Sequence, residues 1–124
     1  MNDELIIFDM QAQLCQSLSH AIRLRIIHTL KEGPKSVNEI AAALDTTQPT
    51  ISRHLSILRS TGLLTTQRKG TEVYYAITNP KVVEICEMMR SILSERGIQQ
   101  LELLQRLQDL AEGTNVKRKP VGKL

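Results

Sequence analysis

The stretch TTQPTISRHLSILRSTGLL, residues 46–64, combines an apolar stripe and a polar surface within one predicted helix. At about 100° per residue, Ile51, Leu55 and Leu58 share one side of that helix. Its N-terminal half also presents residues that would face solvent, namely Gln48, Pro49, Thr50, Ser52 and Arg53. A proline is tolerated there because first-turn N–H groups have no intrahelical partner. The stretch therefore predicts a helix that is anchored by its apolar side and exposes a polar one.

Three more helices are predicted before this stretch. Residues 4–18 place apolar side chains at helical spacing: Ile7, Met10, Leu14 and Leu18. Ser19 is the predicted N-cap of a second helix, HAIRLRIIHTLKEG, which ends at Gly33 and Pro34. Ser36 and Glu39 have the spacing of a capping box and open a short third helix. The three residues DTT, 45–47, then lead into the helix described above, and Thr47 is its predicted cap.

A hairpin and a long helix are predicted after the stretch. Apolar and polar residues alternate over 72–77, as in a half-buried strand, and Lys69-Gly70 marks a turn back from residues 64–68. Asn79 and Pro80 then open a helix whose apolar stripe continues to about Glu112, with Gly97 as a potential break.

Two short helices, a three-residue turn and a hairpin in this order form a winged helix-turn-helix. A length of 124 residues fits one domain. The predicted fold is therefore mainly α with a β-hairpin wing, in one DNA-binding and dimerisation domain over residues 1–112. Residues 113–124 have the composition of a mobile basic tail.

Charge is unevenly distributed along the chain. The net charge is only +3, but residues 46–71 contain four basic side chains and no acid. A local basic surface of this kind favours a polyanionic partner, and double-stranded DNA is the partner that fits a helix-turn-helix.

The polar side of the fourth helix is the predicted surface for DNA. Gln48 and Arg53 suit base readout, because an amide pairs bidentately with adenine and a guanidinium with guanine. Thr50 and Ser52, beside Pro49, suit phosphate contacts. The alternative is an ordinary solvated helix face.

Arg68 and Lys69 lie at the predicted tip of the wing, within reach of phosphates or a minor groove. The alternative for this pair is a turn whose charges only increase solubility.

The chain resembles the ArsR/SmtB family of dimeric winged-helix repressors. The resemblance is carried by LSHAIRLRII, TQPTISRHLSILRSTGLL and RKGTEVYY within residues 14–78. It implies an autoregulatory repressor that binds an imperfect palindrome as a homodimer and releases it when an inducer binds. Ala21 stands where many members carry proline.

A homodimer is also favoured by the pattern itself, because helices one and five carry more apolar surface than so small a body can cover. Dimerisation is therefore predicted through the N- and C-terminal helices. The alternative is that the leucines of residues 98–110 complete the core of a single subunit.

Metal ligands are not predicted, and neither is any cofactor. The Cys-x-Cys of one family site is replaced by EIAAAL, residues 39–44. His20, His28 and His54 all precede the hairpin, so the last helix carries no histidine, and His54 is predicted to pack or hydrogen bond.

Cys15 and Cys86 lie in the apolar stripes of the first and last helices. Three interpretations stay open: two buried small side chains, a redox or reactive-sulfur switch closed by a disulfide or polysulfide bridge, and a thiophilic metalloid site. The inducer is not identified by the sequence.

Other classes are disfavoured. No apolar run approaches a membrane span and the N-terminus is acidic, so a cytoplasmic protein is expected. Phosphate-binding loops and nucleophile motifs are absent, so an enzyme is not predicted. The remaining rival is a winged helix that binds another protein instead of an operator.

Overall fold

The computed structural model describes residues 3–113, which form five α-helices and three β-strands. The elements are α1 (Asp3–Ser17), α2 (Ala21–Leu30), β1 (Lys35–Ser36), α3 (Val37–Leu44), α4 (Gln48–Ser60), β2 (Leu64–Lys69), β3 (Glu72–Ile77) and α5 (Lys81–Ala111). The chain divides into two units, Met1–Ile85 and Cys86–Leu124. The first contains the helix-turn-helix and the wing, and the described part of the second is the remainder of α5.

The core of the first unit lies between α2, α3 and α4. Six side chains there are fully buried: Ile26, Ile27, Ile40, Ile51, Leu55 and Leu58. The last three of these residues are the apolar stripe that was predicted for α4. Residues 45–47 connect α3 to α4, as predicted. The apolar stripe thus fixes which side of α4 faces away from the core.

The helix starts differ in how they are capped. The capping box of α3 is confirmed: the Ser36 backbone N–H donates to Glu39 Oε1 (2.9 Å), and the Glu39 N–H donates to Ser36 Oγ (3.2 Å). The prediction for Ser19 was wrong, because His20 occupies the N-cap position of α2. The Ser19 hydroxyl instead donates to the Gln16 carbonyl (2.6 Å), near the end of α1.

The sheet contains one strand that was not predicted. The β2–β3 hairpin is confirmed, and β1 pairs with the other edge of β3 through Lys35 and Ser36, giving the order β1-β3-β2. A strand of two residues has too few positions to show a period of two. Because β3 is the central strand, all five residues 73–77 are half-buried instead of alternating cleanly.

The two terminal helices are exposed along most of their length. In α1 only Ser17 is buried, and exposed apolar residues there are Leu5, Ile6, Ile7, Phe8, Met10 and Leu14. In α5 the residues from Ile98 to Leu110 include exposed leucines at 101, 103, 104, 107 and 110.

Gly97 does not interrupt α5, which runs unbroken over 31 residues. A single glycine costs a helix about 1 kcal/mol relative to alanine, which the surrounding helix tolerates. From residue 114 on, the predicted basic tail lies outside the described residues. Within residues 3–113, no helix has the length and apolar character needed to cross a membrane.

Candidate nucleic-acid interface

The turn that leads into α4 is fixed by hydrogen bonds to the end of α3. Asp45 adopts a left-handed conformation (φ 51°) and ends α3. The Thr46 backbone N–H donates to the Ala41 carbonyl (3.0 Å). The Leu44 carbonyl accepts from both Thr46 Oγ1 (3.0 Å) and Arg25 Nη2 (3.1 Å). The turn before α4 is therefore held by the Arg25 side chain of α2 and by backbone carbonyls of α3, in addition to the packing of α4 itself.

The first turn of α4 is not capped by the side chain of its N-cap residue. Thr47 occupies the N-cap position as predicted, but its side chain does not cap the helix. Its hydroxyl instead donates to Thr50 Oγ1 (2.9 Å), and Pro49 lies in the first turn. First-turn N–H groups that no side chain caps are suited to bind phosphate oxygens.

The predicted contact residues of α4 share its solvent side. Gln48, Pro49, Ser52 and Arg53 are exposed. At about 100° per residue, Pro49 and Arg53 lie opposite the buried apolar stripe, and Gln48 and Ser52 lie at its flanks. Thr50 is half-buried and accepts the hydrogen bond from the Thr47 hydroxyl. Short polar side chains and one guanidinium on an exposed helix, over a firmly packed back, are what a helix needs to enter the major groove.

The wing presents its charges at a two-residue turn. Arg68 and Lys69 end β2, both exposed, and Gly70 in the turn has a φ of +62°. Lys69 lies opposite Glu72 in the strand register of the hairpin. Its Nζ lies 5.8 Å from the centroid of the Tyr74 ring. Lys69 is therefore partly held by the wing itself, whereas Arg68 extends into solvent.

Sequence reasoning missed Arg23, which is 7% exposed in the first turn of α2. Its Nε donates to His54 Nδ1 on α4 (3.1 Å), and its Nη1 donates to the Ser17 carbonyl (3.2 Å). This confirms His54 as a hydrogen-bonding residue. The only signal in the sequence was a charged residue among the apolar residues of α2, which does not reveal a partner 31 positions away.

Comparison with known proteins identifies this architecture. Residues 20–66 match the model of the family described as bacterial regulatory protein, arsR family. The biofilm growth-associated repressor of Agrobacterium fabrum is 36% identical over 81 residues, which cover 65% of this chain and 69% of that protein. The transcriptional repressor PagR of Bacillus anthracis is 37% identical over 82 residues, covering 65% and 82%. The chain belongs to the ArsR family.

Solved structures agree with this assignment. The crystal structure of the transcriptional repressor BigR from Xylella fastidiosa matches with a TM-score of 0.64 at 32% identity, covering 74% of this chain and 96% of that one. A homodimeric winged helix-turn-helix DNA-binding domain from Mycobacterium bovis, described as a possible ArsR-family regulator, gives 0.69 at 28% identity, covering 77% and 88%. The chain is an ArsR-family DNA-binding transcriptional repressor, not an enzyme.

The two cysteines of this ArsR-family repressor differ in environment. Cys15 on α1 is exposed, so the interpretation of two buried side chains holds in the single chain only for Cys86. Burial raises the pKa of the Cys86 thiol; nearby Arg90 lowers it and Glu87 raises it by smaller amounts. Cys86 is therefore mostly protonated at neutral pH, and Cys15 is the more accessible sulfur.

Within residues 3–113, the side chains of His, Cys, Asp and Glu form no group of three or more that could hold a metal ion.

Proposed function

We propose that this ArsR-family repressor binds a two-fold related operator as a homodimer, with one α4 helix in each half-site. The observation that carries the proposal is the acid-free polar side of α4, held outward by a fully buried apolar stripe. Gln48 and Arg53 read base edges, Thr50 and Ser52 contact phosphate beside Pro49, and the wing adds further phosphate contacts. The resemblance to autoregulated repressors makes the DNA upstream of its own gene the first operator to test.

The homodimer is supported by the exposed apolar residues of α1 and α5. Patches of this extent on a single chain mark an interaction surface. The Mycobacterium bovis relative is described as homodimeric, which supports the same assembly here. A two-fold pairing would space the two α4 helices by about one DNA turn, ~34 Å. The protein would act in the bacterial cytoplasm, where the chromosome lies.

Replacing Arg53 or Arg68 by alanine is expected to weaken DNA binding in different ways. Arg53→Ala should weaken operator binding by about 1–3 kcal/mol and relax the base preference at one position of each half-site. Arg68→Ala should weaken binding to every duplex alike and reduce the salt dependence by about one phosphate contact per subunit. Binding isotherms on an operator and its single-base variants separate the two effects. Equal losses on all duplexes for both variants would contradict base readout by Arg53.

A thiol switch is the form of induction that the cysteines support. The exposed Cys15 thiol is the first site of oxidation, and Cys86 then completes a disulfide, within one subunit or across the dimer. The two thiols together release two protons and two electrons, which reduce one molecule of peroxide to two of water. A bond between α1 and α5 would alter the dimer and hence the spacing of the two α4 helices.

Oxidation is expected to lower operator affinity at least tenfold, and only when both cysteines are present. The measurement compares reduced and peroxide-treated protein with Cys15→Ser, Cys86→Ala and the double variant. Alanine is used at 86 because that site is buried and apolar. Tight binding that is indifferent to oxidation would assign both cysteines to packing and leave the inducer to be sought elsewhere.

The rival function is a winged helix that docks on a protein through the same side of α4. The salt dependence of binding distinguishes DNA binding from protein binding. Contacts with several phosphates make the logarithm of affinity fall linearly with that of salt concentration, and a protein partner need not impose such a slope.

A further inference from the structure

Arg23 joins the end of one helix to the middle of another. Its Nη1 lies 3.2 Å from the carbonyl oxygen of Ser17, the last residue of α1, and its Nε lies 3.1 Å from His54 Nδ1 on α4. Arg23 and Ser17 are both buried. One guanidinium therefore connects the helix proposed for dimerisation with the helix proposed for base readout.

The described hydrogen-bond acceptors of this guanidinium carry no negative charge. A buried arginine is usually paired with a carboxylate, whereas both hydrogen-bond acceptors described here are neutral, a carbonyl and an imidazole. The charged or titratable groups that act on His54 are Arg23 from α2, Arg53 from α4 itself, and His20 at the start of α2. The ring of His20 lies 5.8 Å from that of His54.

The hydrogen bond requires a particular protonation state of His54. Arg23 can only donate, so His54 Nδ1 must accept, and the ring then carries its proton on Nε2. A protonated imidazole has no acceptor nitrogen. Protonation of His54 therefore removes the bond between α2 and α4 and places a second positive charge against the Arg23 guanidinium.

We propose that Arg23 is a positioning residue for α4 and that protonation of His54 releases α4 from it, so that specific operator binding weakens as the pH falls. The inference rests on the proposed role of α4 in DNA binding. It adds the proton as an effector of that same surface, acting through the Arg23–His54 hydrogen bond instead of through the cysteines.

The pKa of His54 is shifted in the direction that this role requires. Partial burial is the main cause that lowers it below its ordinary value of 6.5, followed by the positive charges of Arg23, Arg53 and His20. The neutral, bonded form therefore persists at neutral pH and is lost as the pH falls through the lowered pKa. If specific binding needs the neutral ring, affinity is constant above that pKa and falls below it by up to about tenfold per pH unit for each subunit of the dimer.

Charge alone predicts the opposite trend, since a protonated histidine near DNA strengthens binding to any duplex. The informative quantity is therefore the ratio of operator affinity to the affinity for a scrambled duplex. This ratio cancels attraction that does not depend on sequence.

The test measures that ratio from pH 8 to pH 5 at constant ionic strength for the full chain and three variants. His54→Asn retains an acceptor near the position of Nδ1 but does not titrate, so its ratio is expected to stay flat. His28→Asn removes an exposed histidine of α2 and is the matched control, with the wild-type profile expected. Arg23→Gln loses the bridge at every pH, so its ratio is expected to be about tenfold below that of the wild-type protein at pH 8 and to change little down to pH 5, with the helical circular dichroism signal retained.

Two outcomes of this test would contradict different claims. If the wild-type protein and His54→Asn share one pH profile, the proposal is wrong. If the wild-type protein does not distinguish the operator from the scrambled duplex at pH 8, the proposed function itself fails, which is a separate outcome. Should the variants not fold, NMR titration of the wild-type imidazoles replaces them: the operator is expected to lower the pKa of His54, and an unchanged or raised pKa in the operator complex would overturn the proposal.

Discussion

Replacing Ile7 by aspartate is expected to lower operator affinity by about 10²- to 10⁴-fold, the loss that follows when two linked half-site contacts become independent. Ile7 is 61% exposed in the single chain and lies on α1, the helix proposed to pair with a second copy. In a dimer its side chain would lie against apolar partners, and a carboxylate there would be costly to bury. The measurement combines sedimentation, to follow the dimer, with binding to a full operator.

The matched control is Gln13→Asp, which places the same charge at an exposed polar position of the same helix. This variant should remain dimeric and bind as the wild-type protein does. If Ile7→Asp is still a dimer with unchanged operator affinity, the proposed pairing through α1 is contradicted.

Leu55→Ala is expected to reduce the free energy of unfolding by about 2–5 kcal/mol, the cost of truncating a fully buried leucine and leaving a cavity. Leu55 is completely buried on the side of α4 that faces the core. Because this packing is what holds the polar side outward, DNA binding should fall as the folded fraction falls. Denaturant unfolding at a fixed protein concentration measures the change, since a dimer's stability depends on concentration.

The neighbouring Ser56→Ala provides the comparison. Ser56 is exposed on the opposite side of α4, so its truncation should change the unfolding free energy by no more than about 0.5 kcal/mol. A cost below about 1 kcal/mol for Leu55→Ala would show that α4 is not anchored by this stripe.

The elements that the sequence predicted correctly are those governed by local rules. Ser36 and Glu39 form the capping box because both partners lie within one helical turn. The apolar period of α4 required no knowledge of other elements, and the hairpin was marked by a change of period and a glycine. The exposed side of α4 followed from the same periodicity.

What the sequence did not predict depends on contacts between distant residues or on weak local signals. The Arg23–His54 bond joins positions 31 apart, and nothing in either neighbourhood specifies the other. The β1 strand exists because Lys35 and Ser36 meet the free edge of β3, not because of any pattern of their own. Ser19 has a side chain suited to cap α2, but its hydroxyl donates a hydrogen bond to the Gln16 carbonyl near the end of α1.

The central claim is that the polar side of α4 recognises a specific DNA sequence. The most direct test is to titrate the reduced protein with the duplex upstream of its own gene and with a scrambled duplex of equal composition, at several salt concentrations. We expect the operator to bind at least about 10³-fold more tightly, with affinity falling steeply as salt rises. Equal affinity for the two duplexes, or an affinity that does not respond to salt, would contradict the claim.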